Sequence, residues 1–530
     1  MNANPALDTL KSRFGYDSFR PGQDKVVEAI LQGRDVLAIM PTGAGKSLCY
    51  QVPALVLPGL TIVVSPLISL MQDQVAALRR RGIRAEYINS ALSAGRKQAI
   101  LSRIAANASI CPGDSDEPTK LLYVSPERLA MPEFRAFAQK IRISLICIDE
   151  AHCISLWGLQ FRPDYLKIAE FVKILPARPV LAAFTATANA DVRDDILSRL
   201  DLLSPYVLAT GFDRPNLYFE IQKPKDKWTA LTALLARHRG ECGIIYCLTR
   251  RTVESLSAKL LTNGFIVARY HGGMSLTDRD ANQRDWLMGR RAVIVATNAF
   301  GMGIDKPDVR FVIHYNMPGC MENYYQEAGR AGRDGLPSDC VMLYNYRDVV
   351  INQFFISRAG IMPGDAVRGG EHRSVSVIEG VYVAIDNSVD LEALRAHERK
   401  KLAAMQRFVA GDVCLRAYML DYFGERAAPY CGKCSRCLSL LPFGRHYTSL
   451  VANVESPDLF DELRRLRARL ARRDNILPHK IFNDRILHDF ATSRPTSVPA
   501  MLLIEGVKWR AVLRYGRAFA EEIRLFVETN

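Results

Sequence analysis

The stretch DVLAIMPTGAGKSLCY, residues 35–50, decides the fold. Val36 to Met40 form a short, near-continuous apolar run, the pattern of a strand buried on both faces. A glycine-bearing turn follows, and then helix-like sequence. Glycine lets backbone N–H groups approach a phosphate closely, and a helix N-terminus adds a favourable dipole. In that reading Thr42, Gly43, Ala44 and Gly45 cradle phosphate. Lys46 reaches the β- and γ-phosphates, and Ser47 holds Mg²⁺. The strict phosphate-loop pattern wants glycine where this chain has Met40. A chance glycine turn is the alternative, and the flanking strand and helix weigh against it.

The same alternation continues outward. LTIVVS (60–65), KLLYVS (120–125), SLICID (144–149) and PVLAAF (179–184) are further apolar runs, each followed by a turn and helix-like sequence. It resumes with GIIYCL (243–248), IVARYH (266–271), AVIVAT (292–297) and RFVIHY (310–315). The expectation is two doubly wound α/β lobes with parallel sheets, residues 1–208 and 209–345. Beyond these, 346–440 read as a helical metal-binding subdomain with an insertion near 359–390, 441–456 as a linker, and 457–530 as a small all-α bundle. SVSVIEGVYVAI (374–385) alternates weakly and fits a short hairpin.

The chain has 530 residues, 48% hydrophobic and 24% charged, with a net charge of +14. That size implies several domains, and the basic excess fits either solubility alone or a polyanionic partner. Residues 391–530 carry 24 lysines and arginines against 16 acidic residues, a net of +8. No apolar run approaches the ~18–20 residues that span a bilayer. The first residues show no basic-then-apolar leader pattern. A cytoplasmic, reducing setting is the expectation, and it makes clustered cysteines metal ligands rather than disulfides.

Asp149 and Glu150 end a buried strand, where bare carboxylates are costly. Mg²⁺ on Asp149 and an attacking water on Glu150 would satisfy both. Arg330 and Arg333 lie three residues apart on an expected helix, hence on one face. The second lobe has no phosphate loop of its own, so these arginines fit a ligand shared across the cleft. A solvated basic face is the plainer reading. Cys414, Cys431, Cys434 and Cys437 form C-x16-C-x2-C-x2-C. Four thiolates without an open position suit structural Zn²⁺.

MPTGAGKS, DEAH, FTATA, ATNAFGMGIDKPDVRFVIHYNMP and YYQEAGRAGRDG occur in the order of a superfamily 2 helicase. More narrowly they resemble the RecQ DNA helicases. FGYDSFRPGQ (14–23) is similar to that family's adenine-recognition motif, which implies Gln23 at the base edge and Arg20 and Tyr16 packing the base. The resemblance implies ATP between two RecA-like lobes and single-stranded or branched DNA across them. It also implies unwinding in the 3′-to-5′ direction, in recombination and repair. His152, Thr185 and Thr187 are then expected to couple DNA to hydrolysis. A nucleic-acid scaffold with a vestigial motor is a rival that the intact Lys46, Ser47, Asp149 and Glu150 disfavour.

Members of that family usually carry a winged-helix domain of about a hundred residues after the zinc region, by resemblance. Here residues 438–458 leave no room for one. Residues 457–530 resemble the HRDC domain, with Lys508 where glycine is frequent. Arg464, Arg465, Arg467, Arg472 and Arg473 there read either as a DNA-binding face or as a solvated one.

The acidic pair runs directly into Trp157, Phe161, Arg162 and Tyr165. Aromatic residues at this spacing fit core packing. The resemblance instead makes Trp157, Phe161 and Arg162 an aromatic-rich loop that stacks on single-stranded DNA. The family has glutamine, histidine and aspartate where this chain has Leu156, Leu159 and Gln160, so looser coupling is expected.

Overall fold

A computed structural model describes residues 4–529 apart from 42, 90–91, 108–117, 158–160, 302–303, 305, 359–373, 379–380, 386–390, 440–456, 503, 505 and 508–510. Thr42, Leu159, Gln160, Lys508, the 441–456 linker and most of the 359–390 insertion therefore lie outside the described residues.

The first sheet has seven strands, β1 (Val36–Ile39), β2 (Leu60–Val64), β3 (Ala85–Ile88), β4 (Leu121–Val124), β5 (Ile143–Ile148), β6 (Val180–Thr185) and β7 (Tyr206–Ala209). Their spatial order is β3-β4-β2-β5-β6-β1-β7, and every pairing is parallel. The second sheet contains β8 (Leu217–Gln222), β9 (Cys242–Tyr246), β10 (Val267–Tyr270), β11 (Val293–Ala296), β12 (Val309–His314) and β13 (Ser338–Leu343), ordered β10-β11-β9-β12-β13-β8 and also parallel. The apolar runs became interior strands, both faces covered, except IVARYH, which forms the edge strand β10. Strands β3, β7 and β8, which the apolar pattern missed, are edges, and β7 alternates between half-buried and exposed. β13 is interior, but it opens on Ser338 and Asp339 and so lacks a continuous apolar run.

Sheet order puts β5, β6 and β1 side by side. The phosphate turn after β1, the acidic pair after β5 and Thr185 at the end of β6 therefore meet at one sheet edge. That is where open α/β sheets place ligands.

Residues 374–378 and 381–385 pair as an antiparallel hairpin, Ser374 opposite Ile385. The zinc subdomain is built on the helices Leu391–Ala410 and Leu415–Tyr422. It is fixed to the second lobe by the buried Arg416, whose guanidinium donates to Asp213, to Arg214 O at 2.8 Å and to Leu217 O at 2.6 Å. Phe423 stacks on Phe212 at 4.9 Å. The final unit has its own core, with Leu459, Leu463, Leu466 and Leu470 along one face of the helix Pro457–Asp474 packed on Leu487, Phe490, Phe519 and Ile523. Among the described residues no helix is long and apolar enough to cross a membrane.

Candidate nucleotide and coupling site

Gly43 and Gly45 have φ of 83° and 82°, a backbone that side chains rarely adopt, so the phosphate turn requires glycine at both. The turn delivers Lys46 to the first position of the helix Lys46–Val56. Its ammonium donates to Met40 O at 3.0 Å and Pro41 O at 3.4 Å. Burial lowers the Lys46 pKa, against the nearby charges of Glu150 and Asp149. Burial also pushes the Asp149 carboxyl up to about 7, helped by Glu150 and opposed by Lys46. Glu150 sits at φ 50° and ψ 47°, a left-handed conformation unusual for a non-glycine residue and often found at functional sites. Its Oε2 is buried and accepts no hydrogen bond. The cluster does not satisfy itself, which marks it as a ligand site.

His152 is buried, and burial lowers its pKa. Its Nδ1 lies 2.9 Å from Thr185 Oγ1, and that hydroxyl donates to Thr187 O at 3.0 Å. With the hydroxyl donating to Thr187 O, it is the Nδ1–H tautomer of His152 that completes the pair. Thr187 Oγ1 accepts from Gln326 Nε2 at 3.3 Å, and Gln326 belongs to the second-lobe helix Met321–Ala328. A hydrogen-bonded line thus runs across the cleft from His152, whose Nδ1 lies 3.4 Å from Glu150 Oε2. The sequence reading named His152, Thr185 and Thr187 but missed Gln326, although it opens the quoted QEAGRAGR run. It also gave Tyr165 only a packing role, whereas the Tyr165 hydroxyl donates to Asp149 O at 2.9 Å and fixes the acidic turn.

Several expectations change. Arg330 and Arg333 do not share a helical face, because the helix ends at Ala328 and both lie in the following turns. Arg330 is buried and donates to Gly301 O within its own lobe. Arg333 likewise donates to Ile304 O of its own lobe, while its aliphatic stem packs on the phosphate turn, where a Cβ placed on Gly43 would stand 3.5 Å from Arg333 Cγ. Gln23 is buried, and both amide N–H groups are used on the turn, to Ala44 O at 2.9 Å and Gly45 O at 3.1 Å. Arg20 donates to Gly43 O at 2.7 Å. In this conformation both residues hold the phosphate turn rather than face a base, and Tyr16, 41% exposed, stands open.

The aromatic loop divides. Phe161 is 7% exposed and Tyr165 fully buried, so both pack in the core and Phe161 is not presented for stacking. Arg162 donates to Pro66 O at 3.2 Å. Trp157 is half-buried, with its ring 4.7 Å from that of His397 in the zinc subdomain.

The four cysteines converge. Their sulfurs lie within 4.8 Å of one another, with Cys431–Cys437 at 3.9 Å and Cys414–Cys434 at 3.8 Å. A tetrahedron of Zn–S bonds of ~2.3 Å has an edge of ~3.8 Å, so the spacing fits zinc. Backbone N–H groups of Ala417 and Lys433 point at Cys414 and Cys431 sulfurs, as thiolates require. Of the nominated arginines in the last unit, Arg464 and Arg467 face the second lobe instead of solvent, donating to Gly240 O at 2.7 Å and lying 3.9 Å from Asp308.

Two parallel-sheet lobes with a phosphate turn and acidic pair on one and an arginine supplied by the other define the DEAD/DEAH-box helicase class. Family matches agree, with DEAD/DEAH box helicase over 20–196, helicase conserved C-terminal domain over 226–335, RecQ zinc-binding over 346–438 and HRDC domain over 456–523. The chain belongs to the RecQ family. It is 41% identical to the ATP-dependent DNA helicase RecQ of Bacillus subtilis over 433 residues, covering 82% of this chain and 66% of that one. The RecQ of Haemophilus influenzae is 39% identical, at 82% and 63%. The match thus spans just under two thirds of these relatives. Among solved structures, helicase MrfA bound to DNA and AMPPNP has a TM-score of 0.54 at 19% identity, covering 67% of this chain and 52% of that one. Yeast Dbp5 bound to RNA and ADP BeF3 has a TM-score of 0.51 at 19% identity, covering 76% and 97%. At that identity both speak to fold alone.

Proposed function

We propose that this protein is a DNA-stimulated ATPase that translocates 3′-to-5′ on single-stranded DNA and unwinds tailed or branched duplexes in recombination and repair. The observation that carries it is the half-buried, mutually unsatisfied set of Lys46, Asp149 and Glu150, with the stem of Arg333 packed on the adjoining phosphate turn from the other lobe. Lys46 and Arg333 neutralise charge on the transferring phosphoryl group, and Glu150 orients the attacking water. Ser47 and Asp149 would hold Mg²⁺, which would supply positive charge against the phosphates. Arg330 acts at one remove, fixing the loop at Gly301. Thr42 completes the phosphate turn, and Tyr16 stacks on the base. Arg20 and Gln23 make the turn's shape answer to the nucleotide.

Coupling rests on the line His152–Thr185–Thr187–Gln326. A shift of one lobe against the other alters the hydrogen bond at Thr187, and hence the imidazole beside Glu150. Trp157, on the loop that follows, brings the zinc subdomain into the same line through His397. Zinc, held by the four cysteines, contributes folding energy to that subdomain.

The test is turnover and strand separation at one fixed salt concentration on single strands, 3′-tailed, 5′-tailed and blunt duplexes and matched RNA, since phosphate-driven binding varies steeply with salt. Stimulation by DNA over RNA and unwinding confined to 3′-tailed and forked substrates are expected. Efficient unwinding from blunt ends or 5′ tails would overturn the reading.

A further inference from the structure

Where the last unit meets the second lobe, six charged side chains form a line of alternating sign. Lys306 lies 3.1 Å from Asp308, Asp308 3.9 Å from Arg467, and Arg467 2.6 Å from Asp484. Asp484 lies 3.9 Å from Arg310, which grips Asp334 at 2.6 Å. None of the six side chains is more than 11% exposed. Lys306, Asp308, Arg310 and Asp334 belong to the second lobe, and Arg467 and Asp484 to the HRDC unit. The line therefore crosses the seam twice.

Beside it Arg464 donates to Gly240 O at 2.7 Å, and a Cβ on Gly289 would meet Pro478 at 3.8 Å. Buried ion pairs are weak evidence for stability, but they fix one geometry, because any shifted register leaves bare charge in a dry seam. Asp334 is the immediate neighbour of Arg333.

We propose that the HRDC unit is an intramolecular partner of the second lobe, docked through this alternating line, and that the dock braces the turn that presents Arg333 to the nucleotide. Docking removes Arg464 and Arg467 from any role on DNA. It leaves Arg465 and Arg472 on the same helix exposed to a phosphate backbone, with Arg469 and Arg473 exposed beside Glu522 and Asp474. Arg310 is a positioning residue. It shares its guanidinium between Asp334 and Asp484, so leaving the dock changes the pull on Asp334. The bracing half rests on the role given to Arg333 above, whereas the docking half stands without it.

The experiment uses the full chain with Arg464→Glu and, separately, Asp484→Asn. Hydrogen exchange in peptides covering 238–242 and 306–310 should rise by about tenfold in both, as expected when a covering surface leaves. In Arg464→Glu the helix Asp484–Ser493 should stay protected, showing that the unit remains folded. If Asp484→Asn instead loses protection throughout its own unit, Arg464→Glu decides alone. Unchanged exchange at 238–242 and 306–310 in Arg464→Glu would overturn the docking. For the brace, DNA-stimulated kcat should fall about threefold with the nucleotide KM unchanged, the signature of an interaction made in the transition state. An undocked variant with unaltered kcat would remove the brace and leave the dock. Arg333→Ala hydrolysing at the parent rate would instead remove the role proposed for Arg333.

Discussion

Two buried charge clusters use the same residue types and behave oppositely. In the first lobe, burial lowers the Lys46 pKa and raises that of Asp149 to about 7. At the seam of the second lobe, burial works against Lys306 and Asp308 in the same way. There Asp308 outweighs burial and holds Lys306 above the usual lysine range, while Lys306 and Arg467 hold Asp308 below the carboxylate range. The difference is arrangement. Asp308 is flanked by two cations, whereas Asp149 is flanked by a second carboxylate and a lysine turned to backbone carbonyls. A cluster whose charges alternate and balance is structural, and one with an excess of carboxylates is waiting for a partner.

The sharpest way to break this comparison is to truncate each lysine. Lys46→Ala should lower ATP hydrolysis by about a thousandfold, as loss of phosphoryl-charge stabilisation does. Its thermal midpoint should hardly move. Lys306→Ala should cost about 3 kcal/mol of stability in denaturant melts, because it leaves Asp308 in a dry seam facing Arg467 at 3.9 Å without its nearer cation. Equal stability losses in the two variants would erase the distinction.

Next in size is the zinc site. Cys434→Ser should lower bound zinc from one per chain and open the helices Leu391–Ala410 and Leu415–Tyr422 to protease, since zinc-binding energy is folding energy. Full solubility and activity without metal would contradict this.

A smaller effect is expected at His238, which sits 2.7 Å from Glu241 and 3.2 Å from Asp339. Burial alone would lower its pKa, but the carboxylates of Asp339 and Glu241 beside it raise it to about 9. A raised histidine stabilises the fold fully below its unfolded value of ~6.5, and that stability fades as pH climbs through the folded value. His238→Gln should therefore cost about 2 kcal/mol at pH 6 and little at pH 10, read from melts at each pH. A cost that does not change between those pH values would show that packing on Phe311, not charge, holds the residue.

Smallest is Trp157→Ala, which should reduce DNA stimulation of turnover about threefold while leaving basal hydrolysis in place. Loss of basal hydrolysis would make Trp157 a packing residue only.

Much of this was legible in the sequence, for identifiable reasons. The phosphate turn, the acidic pair and the four cysteines are local patterns, whose chemistry demands fixed residue types at fixed spacing. Interior strands show as apolar runs because both faces are buried. Edge strands such as β7 do not. The errors are all tertiary. Arg330 and Arg333 were placed on one helical face, but the helix stops at Ala328 and the two diverge. Gln23 and Arg20 match a base-recognition motif, yet fold onto the carbonyls of the turn beside them. Phe161 packs inward because the acidic turn is pinned by Tyr165, which no spacing rule reveals. The docking of Arg464 and Arg467 pairs residues more than 150 positions apart, Arg467 with Asp308 and Arg464 with Gly240.

The most direct test of the central claim, a nucleotide site completed by the second lobe and governed by DNA, is one comparison. ATP turnover of the full chain and of Arg333→Ala is measured with and without single-stranded DNA. The account predicts strong DNA stimulation of the parent and at least about a hundredfold loss in the variant at unchanged nucleotide affinity. Turnover that ignores DNA, or survives the loss of Arg333, would contradict it.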